Sequence, residues 1–154
     1  MVTVGMKKEV IVMKYIVLVS HGRFAPGLHD ALGMLVGENR EDILSTSLKN
    51  GMGADEFAEN VRKLISVVKE DDEILLFADL LGGSPLTVSA NVIAEEGLLD
   101  RTTMISGMNL PLVLSAAVMK DDMDIDELKA ELIPEGQDAI TEFTIQATED
   151  EDDI

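Results

Sequence analysis

"YIVLVSHGRFAPG", Tyr15 to Gly27, is the stretch that decides the fold. Its first six residues, up to Ser20, form a continuous run rich in β-branched side chains with no polar alternation. Such a run reads as a strand buried on both faces, the situation in a parallel sheet covered by helices on either side. A glycine-proline loop follows. Beyond it Leu28, Leu32, Leu35 and Val36 recur at i, i+4, i+7 and i+8, the stripe of a helix facing a core, and Gly37 stands where that helix can end. At the junction of strand and loop is His21, one of two histidines in 154 residues.

The pattern repeats downstream. "ILSTSL", Ile43 to Leu48, reads as a second strand. "GMGADEF" opens a helix with Phe57, Val61, Leu64 and Val68 on one stripe, acids in its first turn and Lys69 in its last. "EILLFAD", Glu73 to Asp79, is a third strand, followed by a helix from Pro85 to about Glu96 that Gly97 closes. "TTMISGM", Thr102 to Met108, is a fourth. Asn109 then caps a short apolar helix with Pro111 in its first turn. "DIDE", Asp124 to Glu127, is a capping-box start for a last helix. After Pro134 and Gly136, "AITEFTI" alternates as an edge strand should.

Strand and helix in regular alternation give an α/β fold: a mainly parallel four-stranded sheet with helices on both faces, plus a C-terminal edge strand. One domain spans 13–147. Residues 1–12 read as an extension, because Met13-Lys14 just before the first strand is a natural start, and 148–154 as an acidic, solvated tail.

Aromatics are 3 % of the chain, so the core has to be aliphatic, with the nine methionines as filler rather than a cofactor box. The absence of cysteine excludes disulfides and thiolate chemistry. Twelve basic against thirty acidic residues leave a net charge of −18, which argues against nucleic acid or an anionic membrane surface and suits a basic protein partner. Val10 to Val19 is apolar, but Lys14 interrupts it and it is too short to span a bilayer. A cytoplasmic protein is expected.

His21 follows strand one and Asp79 ends strand three, so both belong at the carboxyl edge of the sheet, where open α/β sheets bind ligands. An imidazole acts as nucleophile or phosphoryl acceptor when one ring nitrogen is unprotonated and a carboxylate holds the other N–H. Asp79 can be that carboxylate if strands one and three are neighbours, under about 5 Å apart. In "GGSP", Ser84 is placed as an N-cap and Pro85 at the first helical position. The free N–H groups of that turn make an anion site, and Gly82 and Gly83 allow close approach. No lysine-bearing P-loop points to a nucleotide, and nothing in the set calls for a metal or a cofactor. Singly, each residue has a plain reading: a loop histidine, a strand-ending acid, a common Ser-Pro helix start. Their joint placement favours function. His29, in the first helix, reads as structural or surface, and Arg23 as a phosphate or partner contact or a solvated side chain.

"IVLVSHGRFAPGL", "LLFADLLGGSP" and "MISGMNLPLVL", in that order, resemble the IIA domain of the mannose-type phosphoenolpyruvate-dependent sugar phosphotransferase system. The likeness runs from Met13 to the mid-130s and is weak around Ile43 to Asn50. It implies a phosphocarrier that takes a phosphoryl group from the phosphohistidine protein HPr and passes it to a IIB component, with membrane IIC and IID permease subunits further along. By this resemblance His21 is phosphorylated at Nε2, Asp79 orients it, and Gly82, Gly83 and Ser84 form the phosphate-side turn. It also implies a homodimer that exchanges its last strand, here "AITEFTI". The acidic ending suggests a free-standing IIA protein rather than one fused to IIB.

Other readings compete. The "LVSHG-R" segment also resembles small tetrapyrrole metal chelatases, which want a second His or acid and an apolar pocket. The phosphocarrier subunit serving dihydroxyacetone kinase shares "VSH", but "GGSP" and "GMNLP" favour the sugar branch. Ser84 lacks the G-x-S-x-G elbow of a hydrolase. A histidine phosphatase wants Arg where Ser20 stands. A regulatory dimer that binds HPr without relaying phosphate is the remaining alternative.

Overall fold

A computed structural model describes residues 11–146; the extension up to residue 10 and the acidic tail, 148–154, lie outside the described residues. Four strands, β1 (Lys14–His21), β2 (Ile43–Leu48), β3 (Glu73–Ala78) and β4 (Thr102–Ile105), form one sheet in the order β2-β1-β3-β4. All pairings are parallel. β1 is central: His21 lies opposite Leu48 of β2, and Val19 opposite Ala78 of β3. The chain steps from β1 outward to β2, then returns across β1 to β3. The switch point therefore falls between β1 and β3, the position at which α/β sheets open a crevice.

The helices are α1 (Phe24–Val36), α2 (Ala54–Leu64), α3 (Ser84–Glu95), α4 (Leu110–Met119) and α5 (Ile125–Asp138). Period-two alternation divides the side chains of β1 between two cores. Ile16 and Leu18 pack with α1, α4 and α5, and Tyr15, Val17 and Val19 with α2 and α3. From Ile16 to Val19 no side chain reaches solvent, and each such burial is worth about 1.5–3 kcal/mol. The fully apolar reading of this run follows from its having a helical layer on both sides.

Several boundaries differ from expectation. Pro26 and Gly27 do not form a loop, because α1 already starts at Phe24 and takes both into its first turn. The α2 stripe stops short of Val68: the helix ends at Leu64, a tight turn covers Ile65–Val67, and Arg62 and Lys63 occupy the last turn instead of Lys69. β4 ends at Ile105, three residues early. Helix α5 has the expected capping box on Asp124 and Glu127, but it continues through Pro134 and Gly136. Proline inside a helix forfeits one hydrogen bond. Tertiary contact offsets that here. Gly136 lies so close to α4 that a Cβ would meet Leu112 Cβ at 3.1 Å, and its carbonyl accepts Asn109 Nδ2 at 3.0 Å.

The expected edge strand is not formed within the chain: residues 140–146 pair with no strand, and Ile140, Phe143 and Ile145 are exposed. A buried charge cluster ties the opposite end of the sheet. Lys120 is 2 % exposed, with its Nζ 2.7 Å from Asp42 Oδ2. Asp42 also accepts two bonds from Arg40, at 3.0 and 2.8 Å. Lys14 Nζ donates to the carbonyls of Lys120 and Met123. Burial pushes the Asp42 carboxyl up, but the bonds from Arg40 and Lys120 outweigh it and hold it at about 2.

Candidate functional site

The β1–β3 pairing brings His21 and Asp79 together across 58 residues of chain. Asp79 Oδ2 accepts the backbone N–H of His21 at 3.0 Å and lies 2.9 Å from His21 Nδ1. Its other oxygen accepts the Leu80 N–H at 2.9 Å. The carboxylate is thus fixed by backbone before it touches the ring. Burial pushes this carboxyl up; the bonds from the His21 backbone and ring and from Leu80 outweigh that and hold it below its ordinary value. A carboxylate accepting a hydrogen bond from Nδ1–H keeps the proton on that nitrogen and leaves Nε2 with its lone pair. Among the described residues nothing hydrogen-bonds Nε2, and the His21 side chain is 46 % exposed against 14 % for Asp79.

The glycine turn closes on the other side of the ring. Gly83 has φ +113°, and a Cβ built on it would stand 3.1 Å from His21 Cε1 and 3.5 Å from Nε2. Only glycine satisfies both that backbone conformation and that proximity. Gly83, not Ser84, is the N-cap of α3; Ser84 is the first helical residue, its side chain makes no capping bond, and Pro85 follows it. The helix therefore begins one residue earlier than expected. This brings its N-terminus nearer the imidazole, since the cap residue itself packs on the ring. Gly82 has open space around its Cα.

Ser20 is the residue that sequence reasoning missed. Its side chain is fully buried. Its Oγ accepts the Ala25 N–H at 2.7 Å and donates to the His21 carbonyl at 3.0 Å. It supplies the start of α1 with an acceptor that Arg23, the residue at the cap position, does not provide. The only signal in the sequence was a serine inside an otherwise apolar strand. His29 is not part of the site. It lies on α1 with Nδ1 2.7 Å from Ser45 Oγ of β2, and burial lowers its pKa against a smaller opposing effect of Asp30. The structural reading of His29 fits this placement.

The acid excess is not concentrated in the loops at this edge. Residues 21–23, 49–53, 79–83 and 106–109 carry Arg23 and Lys49 and a single acid, the paired Asp79. Asp55 and Glu56 come next, in the first turn of α2. Lys49 follows Leu48, whose carbonyl accepts the Gly22 N–H at 2.9 Å. Among the described residues no helix is long and apolar enough to cross a membrane.

Residues 15–133 match the family described as "PTS system fructose IIA component". A Bacillus subtilis (strain 168) protein described as a PTS system fructose-specific EIIA component is 26 % identical over 113 residues, covering 73 % of this chain and 75 % of that one. A Lacticaseibacillus casei sorbose-specific EIIA component is 28 % identical over 122 residues, covering 77 % and 82 %. Among solved structures, the mannose/sorbose-specific IIA subunit from Enterococcus faecalis superposes with a TM-score of 0.72 at 26 % identity, covering 90 % of this chain and 100 % of that one. The phosphotransferase system component EIIA from Streptococcus agalactiae gives the same score and identity over 84 % and 97 %. With its parallel sheet, its His–Asp pair at the switch point and a match across most of its length, the chain belongs to the mannose-type IIA family of the sugar phosphotransferase system.

Proposed function

We propose that the protein is a phosphohistidine carrier in sugar uptake, accepting a phosphoryl group from phospho-HPr on His21 Nε2 and passing it to a IIB component. The observation that carries this is the pairing of His21 Nδ1 with Asp79 Oδ2 at 2.9 Å while Nε2 is left unbonded on a half-exposed ring. In the forward step the Nε2 lone pair attacks phosphorus in line. The Nε2–P bond forms, the donor's N–P bond breaks, and its electron pair returns to the donor ring. The Nδ1 proton stays where it is, and Asp79 balances the positive charge that the phosphorylated ring acquires. Transfer between two imidazoles asks for positioning more than for a strong acid or base. Gly82, Gly83 and Ser84 offer backbone N–H groups and a helix N-terminus to the phosphoryl oxygens.

The same reading makes the protein a cytoplasmic partner of membrane IIC and IID subunits, acting through IIB, and a homodimer. The exposed apolar side chains of Ile140, Phe143 and Ile145 and the open outer edge of β4 support exchange of the C-terminal segment between two copies. Sedimentation of a chain ending at residue 139 tests that part: exchange requires it to be monomeric where the full chain is dimeric.

The carrier assignment is tested by incubating the protein with phosphoenolpyruvate, the general phosphotransferase enzyme and HPr, then measuring its intact mass. The expected result is one acid-labile phosphoryl group, absent from His21→Ala. No gain from an active donor overturns the assignment. A gain that survives in His21→Ala moves it to another residue, His29 first.

A further inference from the structure

Both peptide groups that flank His21 are tied down. The His21 N–H donates to Asp79 Oδ2 at 3.0 Å, and the His21 carbonyl accepts the Ser20 hydroxyl at 3.0 Å. The Gly22 N–H, in the same peptide group as that carbonyl, donates to the Leu48 carbonyl at 2.9 Å. The two planes that meet at the His21 Cα are thus fixed by the residue after β3, by β1 itself and by β2. Fixing them fixes the Cα–Cβ bond, which sets the place from which the imidazole starts. Asp79 then turns the ring about it.

The tie from Ser20 has a second end. A helix start ordinarily takes its side-chain acceptor from its own cap residue. Arg23 offers none, and Ser20 Oγ accepts the Ala25 N–H of α1 at 2.7 Å instead. One hydroxyl therefore gives its proton to the His21 carbonyl and a lone pair to the first turn of α1. Between them lies the Gly22-Arg23 turn, with Gly22 at φ +58°. Burial alone does not bring about this arrangement. Ser47, registered opposite Ser20 on β2, is 3 % exposed, yet its Oγ has no partner.

Resting on the carrier reading, we propose that Ser20 is a positioning residue for phosphoryl transfer: through the His21 carbonyl and the start of α1 it sets where Nε2 stands for in-line attack. It touches neither phosphorus nor a docked protein, since none of it reaches solvent. Its influence is on geometry, to which such transfers are sensitive: a misplacement of about 1 Å costs roughly 100-fold in rate. Without the hydroxyl the His21 frame keeps its ties to Asp79 and Leu48 but loses the one that joins it to the helix.

The test follows transfer from phospho-HPr to the full chain, to Ser20→Ala and to Ser20→Cys, whose thiol has similar size but is a weak donor and acceptor. Two controls accompany them. Ser47→Ala removes the neighbouring unpaired hydroxyl. Val61→Ala opens a cavity in the α2 core, away from the site, and reports what loss of stability alone does to the rate. Both Ser20 variants are expected to lower the limiting rate about tenfold, with KM for phospho-HPr unchanged and the pH dependence of the rate as in the parent, because Asp79 still holds Nδ1. Both controls are expected to transfer at the parent rate. A parent-like limiting rate in the Ser20 variants overturns the role. A loss expressed only in KM also overturns it, as does an equal loss in Val61→Ala. A shifted pH profile overturns it as well, since the hydroxyl would then act through the His–Asp pair. A parent chain that takes nothing from phospho-HPr overturns the carrier reading and this role with it, whereas full transfer to the parent and to Ser20→Ala alike removes this role alone.

Discussion

Asp79 Oδ2 is shared between the backbone N–H of His21, at 3.0 Å, and the ring Nδ1 of the same residue, at 2.9 Å. One oxygen thus fixes both where the histidine's backbone sits and how its ring is turned. Asp79→Asn keeps an acceptor of similar shape but loses the charge that supports a phosphorylated imidazole. Phosphoryl transfer from phospho-HPr is expected to fall at least about 100-fold, because the wrong tautomer becomes accessible. Stopped-flow or quenched transfer assays read this directly, and near-normal rates would remove Asp79 from the mechanism. The linkage has a definite sign. A carboxyl held below its ordinary 3.8 stabilises the fold above that pH and loses its contribution as the pH falls through the folded value. The acid limb of stability below pH 3.8 should be shallower in Asp79→Asn.

Gly83→Ala and Gly82→Ala should differ sharply. At Gly83 the added methyl faces φ +113° and His21 Cε1 at 3.1 Å. The backbone strain costs about 1–3 kcal/mol, and the ring must leave its place, so transfer should fall with stability. At Gly82 nothing lies within 4 Å, and urea denaturation should show little change. Equal tolerance at both positions would contradict the packing described for the ring.

Ser20 and Ser89 are both fully buried, yet their hydroxyls differ in employment. Ser20 Oγ accepts the Ala25 N–H, and Ser20→Ala orphans that donor at a cost of about 1–3 kcal/mol. Ser89 Oγ has no partner, so Ser89→Ala removes an unpaired polar atom and should be neutral or mildly stabilising. Chemical denaturation of the two variants side by side decides it.

The cluster around Asp42 is asymmetric. Asp42→Ala leaves the buried Lys120 ammonium with only the exposed Asp121, at 3.1 Å, in place of its 2.7 Å partner, and should cost about 3 kcal/mol. Lys120→Met leaves Asp42 still held twice by Arg40 and should cost about 1 kcal/mol or less. Because Asp42 titrates at about 2 rather than 3.8, the parent chain loses this contribution as pH falls between those values. Asp42→Asn should flatten that part of the stability curve, as followed by circular dichroism.

Much of this architecture could be read from local pattern. Strands β1 and β3 were legible because they contain unbroken apolar runs, and Asn109 and Asp124 cap as their side-chain chemistry demands. The His–Asp pair was legible only conditionally, since nothing in the chain order says that β1 and β3 are neighbours. What escaped was settled by tertiary contact. The start of α1 depends on a serine hydroxyl in the preceding strand. α5 survives Pro134 because Gly136 lets it pack tightly on Leu112.

The central place of β1 also sets a timetable for synthesis. The strand that ends in His21 is made first, but the aspartate that completes the pair emerges 58 residues later, about 3–12 s at ordinary elongation rates. For that interval the apolar run from Tyr15 to Val19 has at most one edge partner, and a nascent chain in this condition is a natural client for a ribosome-bound chaperone. A ribosome that stalls before Asp79 presents a histidine at the end of an unfinished sheet, with nothing to fix its tautomer. The His21–Asp79 pair is therefore absent from incomplete chains by the order of the strands alone.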